Sequence, residues 1–405
     1  MKTIVLFTGS YLYSKSLEDT FLEPELEVLN DFFKIILVPL SRKGSKSEFI
    51  KKLKNIEICE DFIEFNKKDI LNVFKMDLIF LSDLKNIKKL AHLKDLVKKF
   101  IFYRWVKKNI EQKIENELWS ENFIYYTYWF DYATTALVSL KKQYSLKVVT
   151  RVHGYDLYEE RKDGFIPFRS RDVTGVDKIV TISMQGLRYL KDKYKLKNVY
   201  NSYLGVRDLN IKPPINSTNN FKIVSCSLML SVKRIDMIMN YLSTVSKELK
   251  IKVEWCHIGN GSLEDRLLKQ KQKKQHKNFK INFIGFLENR KIFEYYNNNS
   301  FDYFITLSAS EGLPVTLMEA CSVGLPIIAT SVGGIGEIVE NKVNGFLLSK
   351  NPTYIEFKQV FFQAIEYKND SKTYSLLIKN SRKSYEDKFK SEVNHRIFID
   401  LLNKL

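Results

Sequence analysis

Short runs of β-branched and aromatic residues recur along the chain, separated by stretches whose apolar positions return every three or four residues. In the first half the runs are T-I-V-L-F-T at 3–8, K-I-I-L-V-P at 34–39, D-L-I-F-L-S at 77–82, F-I-Y-Y-T-Y at 123–128, K-V-V-T-R-V-H at 147–153 and K-I-V-T-I-S at 178–183. Phe21, Leu22, Leu26, Leu29 and Phe33 give a helical stripe between the first two. Strands alternating with helices predict an α/β chain with a doubly wound parallel sheet. The pattern breaks around 205–220, where G-V-R-D-L-N-I-K-P-P-I-N-S-T-N-N has two prolines and little periodicity. It restarts with strands at 221–227, 253–259, 281–286, 303–308 and 326–331, and a helix near 234–249. The expected organisation is a Rossmann-like domain at 1–205, a linker at 206–220 and a second Rossmann-like domain at 221–385. A terminal helix at 386–405 is expected to pack back on the first domain.

In open α/β sheets ligands bind beyond the carboxyl ends of the strands. His153, Ser183, Ser227, Gly259, Gly285 and Ser308 fall at such ends. Two sheets with their ends facing would form a cleft with room for two substrates. The stretch S-A-S-E-G-L-P-V-T-L-M-E at 308–319 carries the most chemistry. Pro314 suits a first helical turn, so a helix should begin near Leu313 or Pro314 and leave the N–H groups of Val315, Thr316 and Leu317 for an anion. Glu311 then lies in the loop before the helix and Glu319 in its second turn. Such a layout fits a ligand with phosphate in the middle and polyols at both ends, as in a nucleotide sugar. The plainer reading is an acid favouring the helix dipole and a second acid on a solvated face. Lys233 and Arg234 open a helix, where cations oppose the dipole unless an anion is shared between them. His153 and Gly154 end a first-half strand, and V-G-G-I-G-E-I-V at 332–339 reads as a tight strand-to-helix turn.

The formal charge of +18 implies an anionic partner: nucleic acid, an acidic membrane face or a phosphorylated ligand. No helix-turn-helix, RNP or zinc-finger pattern supports nucleic acid. The four cysteines, Cys59, Cys226, Cys256 and Cys321, form no C-x-x-C and read as core residues of a cytoplasmic protein without structural zinc. The opening residues read as a first strand, not a signal peptide, and no apolar run is long enough to cross a bilayer. The segment 88–109 mixes cations with Leu90, Leu93, Val97, Ile101 and Trp105 at roughly helical spacing. It suits either an anionic membrane surface or a core-packed helix with a lysine-rich outer face.

Together these residues resemble the family 4 glycosyltransferases, retaining enzymes of the GT-B fold. E-G-L-P-x-x-x-x-E at 311–319 is similar to that family's E-x7-E signature, followed by G-L-P-I-I-A-T at 324–330 and G-G-x-x-E at 333–337. H-I-G-N-G-S at 257–262, I-N-F-I-G-F at 281–286, H-G-x-D at 153–156 and Y-L-G-V-R-D at 203–208 also fit. The likeness is specific over 222–350, weaker over 145–210 and faint before 120. The resemblance implies that Glu311 binds hydroxyls of the donor sugar and that the backbone of Gly312, Leu313, Pro314 and Val315, with Thr316, holds sugar and phosphates. It implies that Glu319 binds ribose, that Lys233 neutralises the leaving diphosphate, and that backbone near Phe286 meets the base. Ser227, Gly259, Ser308 and Arg234 would complete the donor site, and His153 would border the reacting sugar. No metal and no cofactor is implied beyond the nucleotide-sugar co-substrate, UDP before GDP. The acceptor would be a saccharide or lipid-linked saccharide of bacterial surface-polysaccharide assembly, reached from the cytoplasm at the inner face of the membrane.

Two departures stand out. Leu228 occupies the place where the family commonly has arginine, with Arg234 as a candidate replacement. The loop T-G-S-Y-L-Y-S-K-S-L-E-D-T-F-L-E-P-E at 8–25 replaces the usual Gly-Gly loop after the first strand. The rival readings are a catalytically weak or inactive nucleotide-sugar binder of the same fold, a sugar-nucleotide epimerase or a phosphorylase.

Overall fold

The computed structural model describes residues 1–13, 18–42, 45–60, 62, 78–216 and 218–405. The chain forms two compact units, Met1–Tyr203 together with Glu392–Leu405, and Leu204–Ser391. The first unit contains β1 (Lys2–Thr8), β2 (Phe33–Pro39), β3 (Ile56–Ile58), β4 (Ile124–Thr127), β5 (Lys147–Val152), β6 (Lys178–Thr181) and β7 (Val199–Asn201). They pair in the order β3-β2-β1-β4-β5-β6-β7. The second unit contains β8 (Phe221–Cys226), β9 (Val253–Ile258), β10 (Phe279–Gly285), β11 (Tyr303–Thr306), β12 (Ile327–Thr330) and β13 (Gly345–Leu348), ordered β10-β9-β8-β11-β12-β13. The strand pairings within both sheets are parallel. Parallel strands are covered by helices on both faces, which is why they read in sequence as near-continuous apolar runs. Each unit is a Rossmann-like, doubly wound domain. In each sheet the first strand is central and the numbering runs outward both ways, so the order reverses between β1 and β4 and between β8 and β11.

One expected strand is a helix. Of the run at 77–82, Asp77 lies outside the described residues and the rest belongs to the helix Leu78–Leu84. A short apolar run cannot be assigned by periodicity alone, and its surroundings decide. Phe80 packs edge-on to Phe100 of the helix Leu90–Glu115, with ring centroids 4.8 Å apart, so the segment joins a helical layer instead of the sheet. The start of the expected linker at 206–220 is fastened to the second unit. Val206 donates its N–H to Phe389 (3.0 Å) and accepts from the Tyr385 hydroxyl (3.0 Å), and Arg382 pairs with Asp208. The helix Ser391–Asn403 places Phe398, Ile399 and Leu402 in the core of the first unit with Ile4, Leu37 and Tyr126. The four cysteines are buried, unbridged thiols. Among the described residues, no helix is long and apolar enough to cross a membrane.

A buried polar knot ties that last helix down. Arg151 on β5 and Glu25 on the helix Asp19–Phe32 are both fully buried, with Nη2 and Oε2 2.8 Å apart. The Tyr126 hydroxyl donates to Glu25 Oε1 (2.7 Å) and accepts from Arg151 Nε (3.0 Å). Arg151 Nη1 donates to the Ser202 carbonyl at 3.2 Å, and the guanidinium lies 4.4 Å from the centre of the Phe398 ring. Removing one partner strands the other charge away from water. Arg151→Met should therefore cost about 3–5 kcal/mol in urea unfolding, with most of it recovered in Arg151→Met/Glu25→Leu.

Candidate functional site in the second unit

The strand order reverses between β8 and β11, and the carboxyl ends of strands at such a reversal are the usual ligand position in open α/β sheets. After β8, a single turn Ser231–Lys233 leads to Arg234, whose left-handed backbone (φ 50°, ψ 43°) starts the helix Ile235–Glu248. After β11, the loop through Glu311 reaches Pro314, the N-cap of the helix Val315–Ser322. The two loops meet: Lys233 Nζ lies 2.6 Å from Glu311 Oε1, and both side chains are largely buried. Arg234 turns elsewhere. Its guanidinium donates to the Lys350 carbonyl (2.8 Å) and to Asn351 Oδ1 (2.6 Å), so it does not bring its charge to the Lys233–Glu311 pair. Leu228 is half-buried in the loop after β8.

Glycines on the flanking loops set these positions. Gly259, after β9, has φ +130°, and a Cβ there would sit 2.0 Å from the Ser227 carbonyl oxygen. Gly333, after β12, has φ +57°, and its Cβ would sit 2.0 Å from the Glu311 carbonyl oxygen. Gly334 donates its N–H to the Gly312 carbonyl. The glycine run expected to be only a turn is therefore the backing of the Glu311 loop. Ser308 is buried beside it; its hydroxyl pairs with Thr306 (3.0 Å) and its carbonyl accepts from Thr330 (2.7 Å).

The helix Val315–Ser322 carries Glu319 inward. The N–H groups of Val315 and Thr316 stand in the first turn, where no intrahelical carbonyl precedes them. The Leu317 N–H, expected to be open, donates to the Pro314 carbonyl at 3.2 Å. Glu319 is buried, contrary to a solvated face. Asn289 Nδ2 donates to its Oε1, while Oε2 has no hydrogen-bond partner among the described residues. Burial pushes the carboxyl up to about 7 despite the Asn289 bond. A buried acceptor left open beside a helix N-terminus is a place for ligand hydroxyls. Asn289 was not singled out from sequence; lying four residues after the glycine that ends β10, it carries no motif of its own. Phe286, just past β10, is 54% exposed, and Gly285 (φ +81°) accepts from the Gly259 N–H at 2.8 Å. Among the described residues, no three His, Cys, Asp or Glu side chains group to hold a metal ion.

In the first unit, His153 follows β5 and its ring lies 4.4 Å from that of Trp129 and 4.9 Å from that of Tyr128. Burial, aided by Arg151, pushes the imidazole down to about 3, so it is neutral near pH 7. Asp156 ties the loops after β4 and β5 together by accepting from the N–H groups of Phe130 (2.8 Å) and His153 (2.6 Å). After β1, the N–H groups of Gly9 (3.1 Å), Ser10 (2.8 Å) and Tyr11 all point at the Glu18 carboxylate, which also accepts from Trp129 Nε1. A nest of N–H groups that could cradle an anion is filled by the chain's own side chain. Part of this unusual 8–25 loop, residues 14–17, lies outside the described residues.

Residues 207–384 match the family model for glycosyl transferases group 1. An uncharacterized glycosyltransferase of Haemophilus influenzae is 30% identical over 185 residues, 44% of this chain and 49% of that protein. The O-antigen biosynthesis glycosyltransferase WbnH of Escherichia coli is 28% identical over 153 residues, 37% of this chain and 40% of that protein. The chain thus spans less than half the length of these relatives. Among solved structures, Anabaena Alr3699/HepE in complex with UDP and glucose aligns over 100% of both chains with a TM-score of 0.68 at 15% identity. A glycosyltransferase from Rickettsia africae ESF-5 aligns over 100% of this chain and 98% of its own, with a TM-score of 0.68 at 18% identity. At these identities the likeness is one of fold, two Rossmann-like domains of the GT-B class.

The glycine contacts can be tested directly. Gly333→Ala combines a strained φ with a collision against the Glu311 peptide and should lower unfolding stability by about 1–3 kcal/mol. Gly336→Ala, whose added carbon meets nothing within 4 Å, should be neutral or slightly stabilising in the same urea titration.

Proposed function

Because residues 207–384 match the family model for glycosyl transferases group 1, we propose that the chain moves a sugar from a nucleotide-sugar donor to a saccharide or lipid-linked saccharide in bacterial glycan assembly. The donor in this reading carries UDP before GDP, the anomeric configuration is retained and no metal takes part. The observation that carries the reading is the meeting of Lys233 and Glu311 at the reversal between β8 and β11. The diphosphate lies against Lys233 Nζ and the first N–H groups of the helix Val315–Ser322, with Gly312 to Pro314 along the sugar. Glu311 accepts from sugar hydroxyls, and Glu319 Oε2 accepts from the ribose, with Asn289 holding the other oxygen. The sugar–phosphate bond breaks as negative charge grows on the leaving diphosphate, and a fixed ammonium with aligned N–H dipoles favours that charge without a cation. The acceptor hydroxyl attacks from the face that the diphosphate leaves, and its proton passes to a departing phosphate oxygen. His153, neutral near pH 7, serves as a hydrogen-bonding group and not as a titrating acid. The work is done in the cytoplasm, with lipid-linked acceptors met at an anionic membrane surface.

One observation favours a second reading, a nucleotide-sugar binder of low turnover. Leu228 stands where the family commonly has arginine, and Arg234 is engaged at Lys350 and Asn351.

Thermal shift against UDP, GDP and their sugars, read beside product formation, separates the two. A stabilising nucleotide with release of UDP or GDP supports the enzyme; stabilisation without turnover supports the binder; no shift with any of them removes both. In the active protein, Lys233→Ala should lower kcat by roughly 10²–10³ while moving donor KM less. EDTA should leave the rate unchanged.

The Glu319 carboxyl gives a pH signature. Its folded value lies above the ordinary carboxylate range, so the stability of its neutral folded form is present at low pH and is lost as pH rises through about 7. Ribose hydroxyls donate to the ionised form, so donor affinity runs the other way. UDP-sugar binding should weaken by up to roughly tenfold per pH unit below the carboxyl's midpoint near 7. Isothermal titration across pH 5.5–8.5 (~3 units) should show this slope in the wild type and lose it in Glu319→Gln.

A further inference from the structure

We propose that a cavity at the amino ends of β11 and β12 binds a small amphipathic anion, an aliphatic chain that ends in a carboxylate or a phosphate. The cavity has a volume of about 580 Å³, the size of a site that buries a small molecule. Ligands of open α/β sheets usually sit at the carboxyl ends, so the ordinary site of this fold does not account for it. Phe301 precedes β11, and Leu325 and Pro326 precede β12. Both strands run from this wall toward the loops that carry Glu311 and Gly333. The cavity lies wholly within the second unit. It is separate from the donor site and does not depend on the reaction proposed there.

Two further elements line it. Tyr374, Ile378 and Arg382, each four residues from the next, lay one stripe of the helix Ser371–Lys388 along the cavity. The segment 210–215 passes it without helix or strand. Pro213 and Pro214 keep that segment extended, because proline fixes its own φ and keeps the preceding residue out of the helical region. It therefore stands as a wall and leaves Ile215, a large aliphatic group, 75% exposed at the cavity. The charges are not balanced. Glu386, the single acid lining the cavity, is taken up by Arg382 Nε at 2.8 Å. Arg382 also pairs with Asp208 and donates to the Ser322 carbonyl, so its charge is spent within the protein. Lys212 and Lys379 line the same cavity, are exposed, and have no ion-pair partner among the described residues. An aliphatic wall with two unengaged ammonium groups suits a chain that is buried for its apolar surface and held at its head by charge-assisted hydrogen bonds.

The test is isothermal titration of the full chain with decanoate, decyl phosphate, octanoate and 1-octanol, each below its micellar concentration. Decanoate or decyl phosphate should bind at a single site, and the tighter of the two tells whether the head is a carboxylate or a phosphate. Octanoate, two methylenes shorter, should bind roughly tenfold more weakly than decanoate. The uncharged 1-octanol should bind more weakly again, by roughly fivefold. Ile215→Glu should weaken decanoate and decyl phosphate by roughly tenfold, and Lys212→Gln/Lys379→Gln by roughly fivefold. All three positions are exposed, so the variants should keep the wild-type unfolding midpoint. No binding of either ten-carbon anion, equal affinity for octanoate and 1-octanol, or undiminished binding by Ile215→Glu would overturn the proposal.

Discussion

Two peptide carbonyls govern the second unit. A carbon atom added at Gly259 or at Gly333 would lie 2.0 Å from the oxygen of Ser227 or of Glu311 respectively. Those contacts hold the loops after β8 and β11 against their outer neighbours, and these loops carry Lys233 and Glu311. The ion pair is thus a consequence of backbone packing at the sheet's reversal, where β8 and β11 are adjacent and their helices depart to either side. With the backbone fixed, the helix Val315–Ser322 has one direction to take, and Glu319 is carried into a buried position that its chain neighbours could not satisfy alone.

The first unit has the same winding but uses it differently. Its reversal lies between β1 and β4, and the N–H groups there are taken by Glu18, with Trp129 closing over the carboxylate. A filled nest offers nothing to a phosphate. Beside it stands a neutral His153 among aromatic rings, a surface for hydrogen bonding and stacking. One unit therefore leaves a charged pair and an open carboxylate oxygen at its strand ends, and the other has neutralised that position internally.

The central strands were legible because burial on both faces demands continuous apolar runs, as in β2 and β8. The edge strands β3, β7 and β13 were not expected; β3 and β7 are only three residues long with one exposed residue each, and β13 opens on a glycine, so the apolar runs are too short to rise above their neighbours. The helix at Leu78–Leu84 was misread for the same reason, and only its packing on Phe100 decides it. Lys233, Glu311 and Glu319 could be singled out because cations and acids at a strand-to-helix turn conflict with, or serve, the local electrostatics. Asn289 could not, since its meaning comes from Glu319, thirty residues away in the chain. Nor could the direction of Arg234, which depends on the distant carbonyl of Lys350.

The most direct measurement is amide hydrogen exchange with and without UDP-glucose. If the reversal between β8 and β11 holds the donor, protection should rise together in the loops 227–234 and 307–317, with a smaller rise around 285–289. Protection confined to the loops of the first unit, or spread evenly over the chain, would contradict the account.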